Sequence, residues 1–278
     1  MNSDINKPID KSAYEGIKRV DVMKEDFGID IPIESVPLPS KGIIYDPSSS
    51  LYNKETLDIR PMTAREEDIL MSRVLIKNGS VLTELIKSCL VDKSIDPDAM
   101  ISGDRNAILT SLRITGYGAD YEVSVDCPKC SFTNKKTFNL SELKLKRLEI
   151  DPVEPGQNLF EVSLPVTKKT LRVKFLTGHD EKEMTITSER RKKQGFKQSS
   201  TITDRLIKSI VSIESIKDRN KISLFVKNMP ARDSLALRKF LDLHEPGVDM
   251  SSWITCDSCL EESEVIIPMG TSFFWPDT

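Results

Sequence analysis

Histidine is nearly missing from this chain: His179 and His244 are the only two in 278 residues. An enzyme built on a catalytic imidazole, or a metal centre rich in histidine, has almost nothing to draw on. An excess of either charge is missing too. Lysine and arginine number 40 against 43 aspartates and glutamates, a formal net charge of −3, which argues against a dedicated polyanion binder with its usual basic surplus. No apolar run approaches the roughly 18 residues that a membrane span needs, and the opening MNSDINKPIDKSAYEG lacks the apolar core of a signal peptide. There is no Walker loop, nucleophile elbow, metalloprotease motif or kinase set. Gly116-Tyr117-Gly118 lacks the third glycine of a dinucleotide loop. With 38% hydrophobic and 30% charged residues, the chain is expected to be a soluble, intracellularly made protein of one large domain or two of ordinary size.

What is present is an order that recurs. Leu57-Asp58-Ile59-Arg60-Pro61-Met62-Thr63 aligns with Leu171-Arg172-Val173-Lys174-Phe175-Leu176-Thr177 at an offset of 114. Leu85-Ile86-Lys87-Ser88 returns as Leu206-Ile207-Lys208-Ser209 at 121, and Asp104, Ala107 and Ile108 meet Asp233, Ala236 and Leu237 at 129. Cys127 meets Cys256 at 129 as well. The offset grows in two steps, as longer loops in a second copy would make it, so the spacing predicts a tandem duplication. The expected fold class is α+β, each copy holding a short strand, about three helices and a CxxC zinc-knuckle hairpin, with the two knuckles sharing one zinc. The expected organisation is a mixed-charge N-terminal arm over residues 1–36 with a helix near 14–23, a first repeat over 37–150 and a second over 151–278.

Within each copy the local signals agree. Leu57, Ile59 and Pro61, like Leu171, Val173 and Phe175, alternate as strands do. Thr63 with Glu66, and Thr177 with Asp180, read as helix N-caps with an acid three residues on. A second helix carries the stripe Val81, Leu82, Leu85, Ile86, Cys89 and Leu90, matched by Ile202, Leu206, Ile207, Ile210 and Val211. A third covers about 105–114 in one copy and 234–243 in the other.

The five cysteines fall in a telling way. Four form two pairs, Cys127-Pro128-Lys129-Cys130 and Cys256-Asp257-Ser258-Cys259, and Cys89 stands alone. Two intervening residues let a tight turn present both thiolates to one ion, and zinc takes four such ligands tetrahedrally at about 2.3 Å. One pair is half a site, so Cys127, Cys130, Cys256 and Cys259 are expected to hold one structural zinc per chain. Residues 131–255 lie between the halves, so this ion would clasp copy one to copy two. Two separate reduced pairs, or a redox pair, are the competing readings, although a thioredoxin-like motif belongs at a helix start. Cys89 sits on an apolar stripe and is expected to be a buried small hydrophobe.

Two further features are set apart by chemistry. Arg190-Arg191-Lys192-Lys193, with Lys197 nearby, is the one basic run, read first as a solvated face and otherwise as a phosphate-binding patch. Phe273, Phe274 and Trp275, followed by Pro276, are expected either to pack onto the clasp or to insert into a partner.

The wording of several segments goes further than their chemistry. Leu38-Pro39-Ser40-Lys41-Gly42-Ile43-Ile44-Tyr45, Arg60-Pro61-Met62-Thr63-Ala64, Glu66-Glu67-Asp68-Ile69-Leu70, Gly103-Asp104-Arg105-Asn106 and Ile114-Thr115-Gly116-Tyr117-Gly118 occur in that order, followed by CPKC, CDSC and FFWP. Together they resemble the baseplate hub assembly proteins of T-even-type contractile-tailed phages. The likeness is closest over about 37–145 and looser afterwards. It implies a late, non-enzymatic viral protein that meets other baseplate hub and tail proteins, without a small-molecule substrate, in the host cytoplasm and at the tail baseplate. The competing classes are a zinc-ribbon nucleic-acid-binding protein using the Arg190–Lys193 run, and an enzyme with an unrecognised redox or hydrolytic site.

Overall fold

In the computed structural model, which describes residues 28–193, 201–269 and 271–274, strand β1 (Glu34–Pro37) pairs antiparallel with β2 (Thr56–Ile59), Val36 opposite Leu57. The helix expected near 14–23 lies outside the described residues. Strand β1 takes Glu34, Ser35 and Val36 from the stretch read as an arm. Helices α1 (Ala64–Met71), α2 (Arg73–Lys77), α3 (Val81–Cys89) and α4 (Ser102–Tyr117) follow. The hairpin β3 (Asp120–Asp126) and β4 (Thr133–Asn139) and the short β5 (Leu145–Lys146) complete the first half.

The expected cap of α1 is present and does more than cap. Glu66, fully buried, accepts from the N–H and hydroxyl of Thr63 at 3.0 and 2.6 Å, from Arg60 Nη2 at 2.7 Å and from Ser88 Oγ at 2.6 Å. One carboxylate thereby ties the end of β2 to α1 and α3. Burial pushes its pKa up, but the bonds from Arg60, Ser88 and Thr63 outweigh that and hold it at about 2, below the ordinary 4.5. Because the folded value is depressed, the stabilisation is present above pH 4.5 and disappears as pH falls through about 2. Its size is about 3 kcal/mol. An acid titration followed by near-UV circular dichroism should therefore show Glu66→Gln losing stability relative to the parent at pH 7, with the gap closing toward pH 2.

Helix α3 buries Leu85, Ile86 and Cys89, but Leu82, expected on the same stripe, is 37% exposed. Burial pushes the Cys89 thiol up to about 12, so at neutral pH it is an unreactive small hydrophobe, as its stripe position suggested. Helix α4 exceeds the expected 105–114 at both ends and stops at Gly118, whose φ of 86° suits a residue without Cβ.

The second half repeats much of this element order. β6 (Phe160–Ser163) pairs with β7 (Thr170–Val173), Val162 opposite Leu171. Helices α5 (Gly178–Lys193) and α6 (Thr201–Ser209) lead to β8 (Ile210–Ile213). After α7 (Arg219–Asn228) and α8 (Ala231–His244) come β9 (Gly247–Val248), the hairpin β10 (Ser251–Thr255) and β11 (Glu262–Ile266), and a 3-10 turn at Thr271–Phe274. At the start of α5, Asp180 accepts from Thr177 N–H and hydroxyl at 3.1 and 3.0 Å and from Lys174 Nζ at 2.6 Å, the same three roles that surround Glu66.

Ile210 and Val211 correct the sequence reading. They were expected on a helical stripe, yet the helix ends at Ser209 and they enter β8, which adds a third strand beside β7. The run Ile210-Val211-Ser212-Ile213 is β-branched at three of four positions, and such side chains suit a pleated, half-buried surface. Backbone pairing also moves the correspondence by one residue. Cys89 O accepts from Arg60 N–H at 2.9 Å and Ser209 O accepts from Lys174 N–H at 2.8 Å, so in the expected alignment of the two halves Cys89 would stand opposite Ser209 rather than Ile210. Among the described residues, helix α7 has no counterpart in the first half.

The halves meet closely. Ser102 N–H donates to Leu176 O at 2.8 Å and Gly178 N–H to Met100 O at 3.0 Å. Leu145 of β5 pairs with Val248 of β9. Gly103 presses against the turn before β9, where an added Cβ would lie 1.7 Å from Pro246 O. Buried apolar side chains from both halves form one cluster that includes Ile101, Leu112, Phe138, Phe175, Ile254 and Phe273.

Candidate metal centre

Each CxxC occupies the tip of a hairpin, and the two tips are built alike. In the first, Cys127 N–H donates to Phe132 O at 2.9 Å and Ser131 N–H to Cys127 O at 2.8 Å, with Ser131 at φ 59°. In the second, Cys256 N–H donates to Glu261 O at 3.1 Å and Leu260 N–H to Cys256 O at 3.0 Å, with Leu260 again at φ 59°. The last paired residues before these turns, Asp126 with Thr133 and Thr255 with Glu262, stand at matching places. These are strand-to-strand turns, so neither pair has the helix-start setting of a thioredoxin-like redox motif.

Facing each other, the tips bring four sulfurs within 4.8 Å of one another. Cys127 Sγ lies 3.8 Å from Cys259 Sγ, and Cys130 Sγ 3.6 Å from Cys256 Sγ. Four thiolates at about 2.3 Å from a central ion in a tetrahedron would be about 3.8 Å apart. The donor set and its spacing therefore fit a tetrahedral metal ion. Cys127 and Cys256 are buried, Cys259 is half-buried and Cys130 is exposed.

The electrostatics explain why such a cluster favours a cation. The N–H groups of Cys130 and Lys129 lower the Cys127 thiol, and those of Cys259 and Ser258 help to hold Cys256 at about 6. At Cys130 the Phe132 N–H pulls downward, but desolvation and the three neighbouring sulfurs push it to about 12. Unaided, four adjacent sulfurs cannot all be thiolates. A bound divalent ion supplies the charge that lets every ligand deprotonate.

Residues around the sulfurs lock the two tips together. Asn134 Oδ1 accepts from Asp257 N–H at 2.8 Å, reaching from one hairpin to the other. Lys129 pairs with Glu261 at 2.6 Å and Lys136 with Asp257 at 2.5 Å. Sequence reasoning missed these three bridges. Asn134 and Lys136 had no pattern of their own, and Lys129 and Asp257, although inside the motifs, have partners more than 120 residues away.

The aromatic C-terminus sits behind the first hairpin. Phe273 and Phe274 are buried, and Phe273 packs edge-on against Tyr121 of β3 with centroids 5.2 Å apart. Tyr121 OH in turn donates to Pro268 O at 3.1 Å. The two phenylalanines are thus in this chain's own core, beside the hairpin that carries the first CxxC, while Trp275 lies outside the described residues. The basic run occupies the C-terminal end of α5, where cations complement the helix dipole. Arg191 there pairs with Asp204 at 2.5 Å. Lys197 lies outside the described residues.

Residues 43–275 match the family model described as T4 bacteriophage base plate protein. The chain belongs to that family. The match spans both hairpin tips and most of the chain, including the looser second half of the resemblance read from the sequence. No curated protein and no solved structure gives a significant match. As a baseplate-family protein, this chain is one whose partners are phage tail proteins. Among its described residues no helix is long and apolar enough to cross a membrane.

Proposed function

We propose that this baseplate protein acts in building the hub of a contractile tail, without enzymatic activity. In this reading it consists of two duplicated copies, over about 37–150 and 151–278, clasped by one structural zinc on Cys127, Cys130, Cys256 and Cys259. The single observation that carries it is the family match across residues 43–275, within which both CxxC tips fall. The copy-on-copy reading draws support from paired details. Val36 faces Leu57 as Val162 faces Leu171, and the Arg60–Glu66 pair has its likeness in Lys174–Asp180.

The two buried aspartates in the first turns of α4 and α8 add to this. Asp104 accepts from Ser40 N–H at 2.9 Å and from the hydroxyls of Ser40 and Tyr45, both at 2.5 Å. Asp233 accepts from Val166 and Thr167 N–H at 2.7 and 3.0 Å. Each anchors the turn after its half's first strand, following Leu38-Pro39 in one and Leu164-Pro165 in the other.

The partners in this reading are other hub and tail proteins, met in the host cytoplasm during assembly. The test is mass spectrometry of what co-purifies with the chain from infected cells, with the proteome of finished particles alongside. Tail and baseplate proteins in the pull-down are expected. Presence in the particle identifies a structural subunit and absence an assembly factor. Nucleic acid without tail proteins would overturn the hub reading and move attention to the Arg190–Lys193 run.

A further inference from the structure

The first half carries an apolar face that is exposed among the described residues. Met71, Val74 and Ile76, at the end of α1 and along α2, are 67%, 67% and 47% exposed, and Leu82 on α3 borders them. Beside this face is a groove of about 520 Å³ walled by Leu70, Met71, Ile76, Leu82, Phe273 and Phe274. That volume lies within the range of ordinary binding clefts. Contiguous apolar surface of this kind marks a contact site on a soluble protein.

Charge says what the contact is. Next to the apolar groove, across the turn at Lys77–Ser80, lies a second groove lined by Lys77, Lys182, Arg190 and Lys193 with Glu189 as its acid. The turn and α5 touch, since a Cβ on Gly79 would lie 3.6 Å from Thr185 Cγ2. Lys182 is 3.6 Å from Asp98, while Lys77, Arg190 and Lys193 have no ion-pair partner among the described residues. The surface is thus one strip, apolar at one end and cationic at the other.

We propose that this strip docks a helical segment of a partner protein that carries large apolar side chains on one face and carboxylates on its flank. Apolar anchors at i, i+3, i+4 and i+7 would enter the groove, as amphipathic helices do elsewhere, and the acidic flank would meet Lys77, Arg190 and Lys193. The surface uses no cysteine and stands independently of the metal reading.

The test uses the full chain and fluorescence anisotropy. The probe is a labelled synthetic peptide with leucine and phenylalanine at those spacings and glutamates on its flank. Controls are the same peptide with lysines in place of glutamates and a single-stranded oligothymidylate. The glutamate peptide should bind at least about tenfold more tightly than the lysine peptide, and more weakly as salt rises. Ile76→Glu, and separately the pair Arg190→Glu and Lys193→Glu, should each weaken it about tenfold or more while far-UV circular dichroism stays unchanged. Equal or tighter binding of the lysine peptide overturns the proposal, as does glutamate-peptide binding indifferent to both sets of variants. Preference for oligothymidylate would make the strip a nucleic-acid site and overturn it too. So would a dimer of the chain that Ile76→Glu dissolves, or peptide binding seen only after Trp275→Ala, which would seat the chain's own tail in the groove. Failure of every probe to bind also counts against it.

Discussion

Replacing Cys256 with serine is expected to take the metal content of the purified chain from one ion to near none, by elemental analysis at neutral pH. The reason is geometric. With sulfurs 3.6 and 3.8 Å apart across the two tips, neither pair is a site by itself, and each supplies half of one tetrahedron. Cys127→Ser should have the same effect, whereas Cys89→Ser, in a buried stripe far from any ligand role, should leave the ion in place. If Cys256→Ser kept a full equivalent bound at the first pair, the shared site would be wrong. Structural zinc in small peptides carries about 10–16 kcal/mol of apparent binding free energy, enough to decide whether they fold. This chain has a large apolar core besides, so loss of the ion should loosen the tips and the Tyr121–Phe273 contact, with the thermal midpoint falling by several degrees.

Among the glycines of the described residues, Gly103→Ala is expected to be the most damaging replacement by alanine. The added carbon would lie 1.7 Å from Pro246 O and 2.7 Å from Pro246 C, well inside van der Waals contact, and both are backbone atoms that cannot rotate away. Helix α4 and the turn before β9 would have to separate, disturbing the pairing of β5 with β9. Overpacking of this kind costs about 3 kcal/mol or more, a fall of roughly 6–12 °C in the midpoint for a chain of this size. Gly116→Ala, in the same helix, provides the contrast. There the new carbon would meet Met62 Cε at 2.7 Å, the far end of a flexible side chain, and the gain in helix propensity of about 1 kcal/mol offsets much of the strain. Calorimetry should show a large drop for the first variant and little change for the second. Similar drops for both would mean that the close approach does not govern stability.

Much of the site was legible because its chemistry is local. CxxC needs only four consecutive residues to be recognised, and its partner half was found by the same pattern. The Thr63–Glu66 and Thr177–Asp180 caps were legible for the same reason. What escaped is what depends on distant neighbours. Asp104 and Asp233 were matched as a pair by spacing, but nothing near them in sequence says that they bind the turns after β1 and β6. Ile210 and Val211 continued a helical stripe by period alone, and the vacant side of β7 decided otherwise. The Arg105–Asp98 pair, 2.7 Å apart with Thr83 hydrogen-bonded to both, joins three segments by side chains whose separate positions look unremarkable.

The wide separation of the four sulfurs has a kinetic side. Cys130 and Cys256 are 126 residues apart, against the dozen or so that separate the halves of a zinc finger. Closing so long a loop costs about 2 kcal/mol more than closing a short one, and the second pair leaves the ribosome only after the 125 residues between the two pairs, 131–255, have been added. The first tip must therefore wait, with its two thiols open to oxidation, until those residues have been made. On the shared-site reading, an ion held by all four sulfurs would be captured only by chains whose two halves have already found each other.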